Sequence, residues 1–271
     1  MSAIEKFLSS VIVLDTETTN LHPELAEIVE VAEAHWIGGT WSTQGTLLGA
    51  KNGIPPAASA KNNISNKMIA GLPTFDDRTD DIRKLLNWSK AGYYVAHNAN
   101  YDRKVLVRAW QDSGTQADID LCKQDRRWLC TWRLSRQILA HDFEDMEYGL
   151  NYLRYKLDLP VADNLRLHRA SDDTYLCAIL LEYLVTAAIN NGMIDADSDI
   201  GSQLNELCWS PIIQRTWPFG KYKGKDLDSI PNDYYSWAFK NVDSLKDDSG
   251  DYDMDLAESV RRVLEARLLA A

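Results

Sequence analysis

The chain contains a short apolar run that ends directly in acidic residues. Val11–Leu14 is followed by DTET, residues 15–18. A β-branched run of this kind, bounded by polar residues, predicts a strand buried on both faces of a mixed or parallel sheet. Because side chains alternate along a strand, Asp15 and Glu17 share a face. Neighbouring carboxylates repel each other unless a cation neutralises them or one takes up a proton. The run therefore predicts either a strand end with solvated acids or a cation site.

The remaining apolar patterns place further strands and helices around this run. We expect strands at 28–39, 40–48, 93–98 and 128–130, with Gly38 and Gly39 in a hairpin turn between the first two. We expect helices at 64–71, 76–90, 101–110, 131–140, 147–157 and 171–190, and a loop at 51–63. Three consecutive strands followed by strands that alternate with helices predict an α/β domain over residues 1–195.

Composition limits the kinds of partner that the chain can have. Its 271 residues suffice for one large domain with a small appendage, and its net charge of -11 argues against binding polyanions through the whole surface. No stretch approaches about 18 uninterrupted apolar residues, and the N-terminus lacks the features of a secretory signal. The four cysteines contain no CxxC pair, so neither disulfides nor structural zinc is expected. We expect a cytoplasmic protein without a membrane partner, which binds nucleic acid only through local basic patches or metal ions.

Two later segments carry further candidate acids. Asp102 ends HNANYD, just after a predicted strand and at the start of a helix, where favourable interaction with the helix dipole is a purely structural alternative. In HRASDD, residues 168–173, Ser171 or Asp172 suits a helix N-cap. If the helix begins there, His168 lies in the preceding loop and Asp173 lies on the first turn.

Taken together, these segments resemble a known enzyme superfamily. Asp15 and Glu17 in DTET, Asp102 in HNANYD, and His168 with Asp173 in the pattern HxAxxD are similar, in this order, to the three exonuclease motifs of the DEDDh superfamily of 3'-to-5' exonucleases. The resemblance covers about residues 10 to 190. It implies an α/β fold, with a ribonuclease H-like mixed sheet flanked by helices and a small C-terminal extension.

The resemblance also implies a metal-dependent mechanism. Two divalent ions, Mg²⁺ with Mn²⁺ as a substitute, would be held by oxygen ligands from Asp15, Glu17, Asp102 and Asp173. Asp15, Glu17 and Asp173 would hold the ion that carries the attacking water, Asp15 would bridge to the second ion, and Asp102 would act on the metals directly or through water. His168 would be the general base, since imidazole titrates near neutral pH.

Residues near these motifs are candidates for contacts with the substrate. In members of the superfamily, the residues that follow the first motif hold the terminal nucleotide, which here implicates Thr18, Thr19, Asn20 and Leu21. Leu21 would stack on the last base or, alternatively, pack into the core as a loop leucine. Asn98 is expected to position the substrate or to brace Asp102. We expect His97 to make structural hydrogen bonds.

The C-terminal part, residues 196–271, carries a local basic segment. Lys221, Lys223 and Lys225 alternate with other residues in FGKYKGK, and with Arg215 they form a stretch that contains no acid from 208 to 225. On an extended strand these lysines would project to one side and bind DNA phosphates, whereas the alternative is a solvated basic hairpin. The segment is similar to the C-terminal region of the bacterial exodeoxyribonuclease X family, which acts on DNA.

The end of the chain is acidic and then amphipathic. Seven acids and one lysine lie between residues 243 and 258, which is typical of a solvated linker and which could compete with DNA for the lysines. The stretch LAESVRRVLEARLLA predicts an amphipathic helix that packs on the domain or pairs with a second chain as a homodimer. The sequence leaves both arrangements open.

The function predicted from these features is 3'-to-5' exonucleolytic release of nucleoside 5'-monophosphates from DNA with a free 3' end, in repair or recombination. Three alternatives stay open: an exoribonuclease of the same superfamily, a polymerase proofreading subunit, and a non-catalytic nucleic-acid-binding module. A contact to the ribose 2'-hydroxyl would distinguish the first, a docking role of the terminal helix the second, and loss of a metal-binding acid the third.

Overall fold

The computed structural model describes residues 1–87, 91–139, 147–165, 168–246 and 253–269. It forms two compact units, Met1–Cys208 and Trp209–Ala271. The division lies beyond the predicted boundary at residue 195, because helix α10 (Ile200–Trp209) bonds to the first unit. Asn205 Nδ2 donates to the Trp128 carbonyl at 2.9 Å, and Arg133 Nε donates to the Cys208 carbonyl at 2.7 Å.

The first unit is built on a mixed five-stranded sheet. Its strands are β1 (Val11–Thr18), β2 (Ile28–Ile37), β3 (Thr40–Leu47), β4 (Tyr93–Ala96) and β5 (Trp128–Cys130). They lie in the order β3-β2-β1-β4-β5. β2 pairs antiparallel with β1 and β3, whereas β4 pairs parallel with β1 and β5. The predicted strands are confirmed, and the predicted burial of β1 on both faces holds for Val11–Leu14, which are at most 2% exposed.

The predicted turn between β2 and β3 has the backbone that its glycines allow. Gly38 and Gly39 have φ angles of 62° and 88°. Such left-handed conformations at both positions suit the tight turn of a two-residue hairpin and strain most other residues. The local chemistry of these two residues therefore determines the β2–β3 register.

Helices precede and follow β1 along the chain. Those of the first unit that precede α10 are α1 (Ala3–Leu8), α2 (Pro56–Asn62), α3 (Asn66–Ile69), α4 (Thr79–Leu86), α5 (Ala99–Ser113), α6 (Gln116–Cys122), α7 (Thr131–Ile138), α8 (Leu150–Lys156) and α9 (Ala170–Asn190). The prediction of a loop at 51–63 is wrong over α2, where Pro56 occupies the first helical position that proline favours. The parts of the predicted helices at 88–90 and 140 lie outside the described residues.

Helix α9 packs across β1, β2 and β3. A side chain at Gly45 of β3 would come within 2.4 Å of the Ser171 hydroxyl, so the helix start needs a glycine opposite it. The predicted N-cap at Ser171 or Asp172 is wrong, because Arg169 is the N-cap and the helix begins at Ala170. This close packing positions the first turn of α9 over the acidic end of β1.

The second unit has a core of its own. Trp217, Leu227, Ile230, Tyr235 and Leu256 are buried together there. Its longer helices are α11 (Asn232–Asn241) and α12 (Met254–Leu269). The apolar face of α12 contributes to this core, although Leu268 and Leu269 are exposed.

The lysine segment of the second unit is not a strand. Gly220–Tyr222 forms a 3-10 turn, and the backbone nitrogen of Trp217 donates to the Lys225 carbonyl at 2.9 Å. The prediction of an extended strand is therefore wrong: the glycines at 220 and 224, with φ angles of 60° and 76°, fold the segment into a compact loop. Lys221, Lys223 and Lys225 are nevertheless exposed. Of the predicted acidic linker, Asp247, Asp248 and Asp251 lie outside the described residues.

Across the described ranges, no helix combines the length and the apolar character that crossing a membrane requires. Cys122, Cys130, Cys177 and Cys208 are free thiols that lie buried in the first unit.

Candidate active site

The acidic end of β1 lies at the centre of the candidate site. Carboxylate oxygens of Asp15, Glu17 and Asp173 all lie within 4.8 Å of one another. In the β1–β2 pair, Asp15 is opposite Ala32 and Glu17 is opposite Glu30, so the two strand acids share a face as their spacing predicts. The fold thus brings the first and third acidic segments of the chain into one cluster.

The N-terminus of α9 holds Asp173 in this cluster through two anchors. The backbone nitrogen of His168 donates to Asp173 Oδ2 at 3.0 Å. Arg169 pairs with the buried Glu30 carboxylate through Nη2 at 2.8 Å and Nε at 3.1 Å, and the Ala170 nitrogen donates to the same carboxylate. A bidentate pair of this kind fixes direction as well as distance. Glu30 and Arg169 therefore position the helix start against β2.

His168 lies in the loop before α9, as predicted from its sequence. Its side chain is exposed, and it lines the same cleft as the three acids. Its φ angle of 62° is left-handed, a conformation that costs a non-glycine residue on the order of 1–3 kcal/mol. The backbone of His168 is thus held in a strained form while its amide bonds Asp173 and its imidazole stays accessible.

Asp102 lies beside the cluster on the first turn of α5 and is buried. Its Oδ1 accepts hydrogen bonds from the Thr16 nitrogen at 3.1 Å and from the Thr16 hydroxyl at 2.8 Å. Burial raises the pKa of Asp102 to about 6, although the two hydrogen bonds from Thr16 lower it. Asp102 is close enough for its charge to act on Asp15, but it is not one of the three clustered acids.

Burial and neighbouring negative charges disfavour the charged form of every clustered acid. The pKa of Asp15 is raised well above its ordinary value by burial first, and then by the charges of Asp102, Glu17 and Asp173. Burial and the charge of Asp173 raise the pKa of Glu17 to about 8. Burial also raises the pKa of Asp173 to about 6, although the His168 amide lowers it. A bound cation would remove this penalty, so the cluster is suited to a divalent metal that prefers oxygen ligands.

The metal-free protein is expected to lose stability as the pH rises, and Glu17→Gln to reduce that loss. The pKa of Glu17 is 4.5 ordinarily and about 8 in the folded chain, so between these values the folded chain keeps a proton that the unfolded chain releases. Stability therefore falls as pH rises through this window. In EDTA, the Tm of Glu17→Gln should exceed that of wild type by about 2 °C or more at pH 9, and the two Tm values should be equal at about pH 4. Identical pH profiles would contradict this assignment.

The three clustered acids line a cleft of about 520 Å³. It is lined by Asp15, Thr16, Glu17, Thr18, Thr19, Asn20, Leu21, His22, Pro55, Ala57, Ala58, Lys61, Asn62, Tyr101, His168 and Asp173. Among the predicted substrate residues, Thr18 and Leu21 are part of it, and Leu21 is 79% exposed rather than packed in the core. The exposed leucine is therefore available to a ligand in the cleft.

Two wall residues of the cleft were not predicted from the sequence. The Tyr101 hydroxyl donates to the Asn20 carbonyl at 2.6 Å and shares a 2.5 Å hydrogen bond with the Thr18 hydroxyl. Asn62 Nδ2 donates to the Thr18 carbonyl at 3.3 Å. Together they fix the backbone after the first motif. The position of Tyr101 beside Asp102 was a usable signal, whereas Asn62 lies in the segment predicted as a loop.

The other predicted site residues lie elsewhere. Asn98 is the N-cap of α5, is exposed and does not line the cleft. His97 bonds the Thr131 hydroxyl through Nδ1 and the Tyr148 carbonyl through Nε2, each at 3.0 Å, which is the structural role predicted for it. Burial lowers the pKa of His97 to about 4. The three lysines of the loop at 221–225 belong to the second unit.

Comparison with known proteins adds family relationships to this geometry. The model of the family described as Exonuclease (RNase_T) matches residues 12–181, and a second model, described as "Putative quorum-sensing-regulated virulence factor", matches residues 205–242. Exodeoxyribonuclease 10 of Escherichia coli (strain K12) is 27% identical over 239 residues, which span 86% of this chain and 92% of the relative. The DNA polymerase III subunit epsilon of Treponema pallidum (strain Nichols) is 27% identical over 175 residues, 63% of this chain and 74% of the relative.

A solved structure shows the same fold at low sequence identity. Exonuclease I of E. coli in complex with a dT13 oligonucleotide superposes with a TM-score of 0.55 at 14% identity, covering 67% of this chain and 42% of that one. The predicted ribonuclease H-like mixed sheet flanked by helices is confirmed by this likeness and by the strand order.

Proposed function

The chain belongs to the Exonuclease family, whose model matches residues 12–181, and on this premise we propose that it is a metal-dependent 3'-to-5' exodeoxyribonuclease. It would hydrolyse phosphodiester bonds at a free 3' end of DNA and release nucleoside 5'-monophosphates. The observation that carries the proposal is the convergence of Asp15, Glu17 and Asp173 within 4.8 Å, in a cleft that His168 also lines.

The donor set fits a hard divalent cation. The three clustered groups offer carboxylate oxygens only, and their repulsion leaves them short of a positive partner. Asp15, Glu17 and Asp173 would hold Mg²⁺, or Mn²⁺ in its place, and Asp102 would act on the same site directly or through water. When two ions are bound, they neutralise the charge that develops on the phosphate and lower the pKa of water.

The remaining residues of the site would bind the substrate and move its proton. His168 would accept the proton of the attacking water, because this exposed residue lines the cleft that holds the three acids and its backbone amide bonds Asp173. Thr18 and the exposed Leu21 would hold the terminal nucleotide, with Leu21 against the last base. The wall made by Tyr101 and Asn62 would keep this segment in place.

The extent of the two likenesses favours DNA exonuclease activity over a polymerase subunit. The likeness to exodeoxyribonuclease 10 spans 86% of this chain and reaches into its second unit, whereas the likeness to the polymerase subunit spans 63%. All the acids of the motifs are present, which disfavours a non-catalytic module. A cytoplasmic location, a repair or recombination role and a homodimer stay predictions.

A gel time course tests this proposal directly. The substrates are 5'-labelled DNA and RNA oligonucleotides of one sequence, single-stranded and duplex, with Mg²⁺, Mn²⁺ or EDTA. We expect a ladder that shortens from the 3' end of DNA and requires metal. Faster degradation of RNA would identify an exoribonuclease, and no degradation under any condition would contradict the enzymatic proposal.

The exposed lysines of the second unit would contribute phosphate contacts. Replacing Lys221, Lys223 and Lys225 together with alanine is expected to weaken DNA binding and to flatten the plot of log affinity against log salt by about 2 for single strands. The measurement is fluorescence anisotropy over a salt series. The control removes the same charge from three exposed lysines of the first unit, Lys6, Lys67 and Lys84. Equal slopes for both variants would show that the lysines of the loop at 221–225 are solvated and do not contact DNA specifically.

A further inference from the structure

The second unit displays a row of aromatic side chains on its surface. We define the aromatic row as Tyr222, Tyr234 and Trp237. The ring centroids of Tyr222 and Tyr234 are 4.5 Å apart and these two rings meet edge to face, with 66° between their planes, whereas those of Tyr234 and Trp237 are 5.4 Å apart with 32° between their planes. Tyr234 and Trp237 lie three residues apart on α11, so they occupy one face of that helix. The row is therefore continuous.

The row is exposed at one end and anchored at the other. Trp237 is 50% exposed, an unusual degree for the largest apolar side chain. Tyr234 packs edge-on against Trp217, which is fully buried, with centroids 5.5 Å apart. The inward face of α11 carries Tyr235 and Ala238, both fully buried, so the core of the unit supports the row. Rings held this way lose little conformational entropy when a flat ligand stacks on them.

A lysine lies near each end of the row. Lys221 Nζ lies 5.0 Å from the centroid of the Tyr222 ring, and Lys240 is exposed one turn beyond Trp237 on α11. Residues 208–240 carry five cations, Arg215, Lys221, Lys223, Lys225 and Lys240, and three acids, Asp226, Asp228 and Asp233. This stretch is therefore positive in a chain whose net charge is -11.

Ring faces combined with exposed cations match the chemistry of a single-stranded nucleic acid. Every base offers a flat face to an aromatic ring whatever its sequence, and every linkage offers a phosphate to a lysine. An apolar protein partner would not need the lysines, and a duplex would keep its base faces covered. Charge complementarity thus selects a nucleic-acid strand as the occupant.

We propose that the aromatic row is a stacking platform for the bases of single-stranded DNA, with Trp237 as its principal contact and the neighbouring lysines on the phosphates. This rests on the proposed function only for the choice of DNA as the ligand. The platform gives the second unit a binding role that does not depend on the metal site of the first unit.

The test compares two oligonucleotides of equal charge. Full-length protein in EDTA is titrated into fluorescein-labelled dT12 and into a 12-mer whose sites are all abasic, and anisotropy gives both affinities. Trp237→Ala should weaken binding to dT12 by on the order of tenfold and leave binding to the abasic strand unchanged. Trp237→Phe, which keeps a ring face, should restore most of the lost affinity.

The controls separate stacking from charge and from misfolding. Trp36→Ala removes a partly exposed tryptophan of the first unit that packs on Trp41, and it should leave both affinities unchanged. The platform would be overturned if wild type bound dT12 no more tightly than the abasic strand and Trp237→Ala bound dT12 as tightly as wild type. A row that docks a protein would give the same result. Absence of cleavage when Mg²⁺ is added would contradict the nuclease, while the EDTA titration would still decide the platform.

Discussion

Asp15→Ala and Asp173→Ala are each expected to abolish cleavage of DNA, by at least about 10³-fold in turnover. Each change removes one of three carboxylates that lie within 4.8 Å of one another and would hold the metal. Folding should survive, because burial and repulsion raise the pKa of both acids and their charges therefore destabilise the metal-free fold. The gel time course measures turnover, and thermal unfolding in EDTA checks the fold.

A neighbouring acid serves as the matched control for these variants. Asp172 lies on the same first turn of α9 but outside the three-acid cluster. Asp172→Asn should therefore retain turnover within a few-fold of wild type. Retained cleavage in both Asp15→Ala and Asp173→Ala would remove the metal mechanism, and a loss in Asp172→Asn as large as theirs would show that the measurement reports general charge instead of ligation.

His168→Asn is expected to slow turnover by about 10²- to 10⁴-fold while DNA binding stays close to wild type. The imidazole would take a proton in the chemical step and contributes little to holding the strand. Asparagine is the informative replacement, because it tolerates the left-handed backbone that His168 adopts and keeps the amide that bonds Asp173 Oδ2. Single-turnover cleavage measures the chemical step, and anisotropy in EDTA measures binding.

Two comparisons make this result specific to the base. His168→Ala loses the same imidazole but strains the left-handed backbone, so a further loss relative to His168→Asn would report positioning of Asp173. His22 lines the same cleft and is the alternative histidine. Unchanged single-turnover rates in His168→Asn, together with a large loss in His22→Asn, would assign the proton transfer to His22.

The strands show how much of the fold the sequence predicts. Their apolar runs and the glycine pair at 38 and 39 are local signals, and all five strands lie where these signals indicate. Helix starts were harder to predict, since Ser171 and Asp172 are good capping residues but the Arg169–Glu30 pair draws the start of α9 to Ala170. A partner that lies far away in the chain overrode a local preference.

The site follows the same division. Residue spacing placed Asp15 and Glu17 on one face, and the resemblance to known motifs identified Asp102, His168 and Asp173. The walls from Tyr101 and Asn62, the exposure of Leu21 and the folded lysine loop could not be predicted, because each depends on which segments pack together. Trp237 was one tryptophan among nine in the sequence, and only its surroundings distinguish it.

By itself, the sequence determined where the strands lie along the chain, the shared face of the first two acids and the set of groups available for catalysis. These follow from side-chain alternation and turn chemistry, which act over a few residues. The tertiary structure alone decided the burial that raises the pKa of Glu17 to about 8, the meeting of β1 with α9, and the half-exposed Trp237 on a supported aromatic row. Burial and electrostatic coupling depend on every segment that surrounds a group, so no local pattern in the chain encodes them.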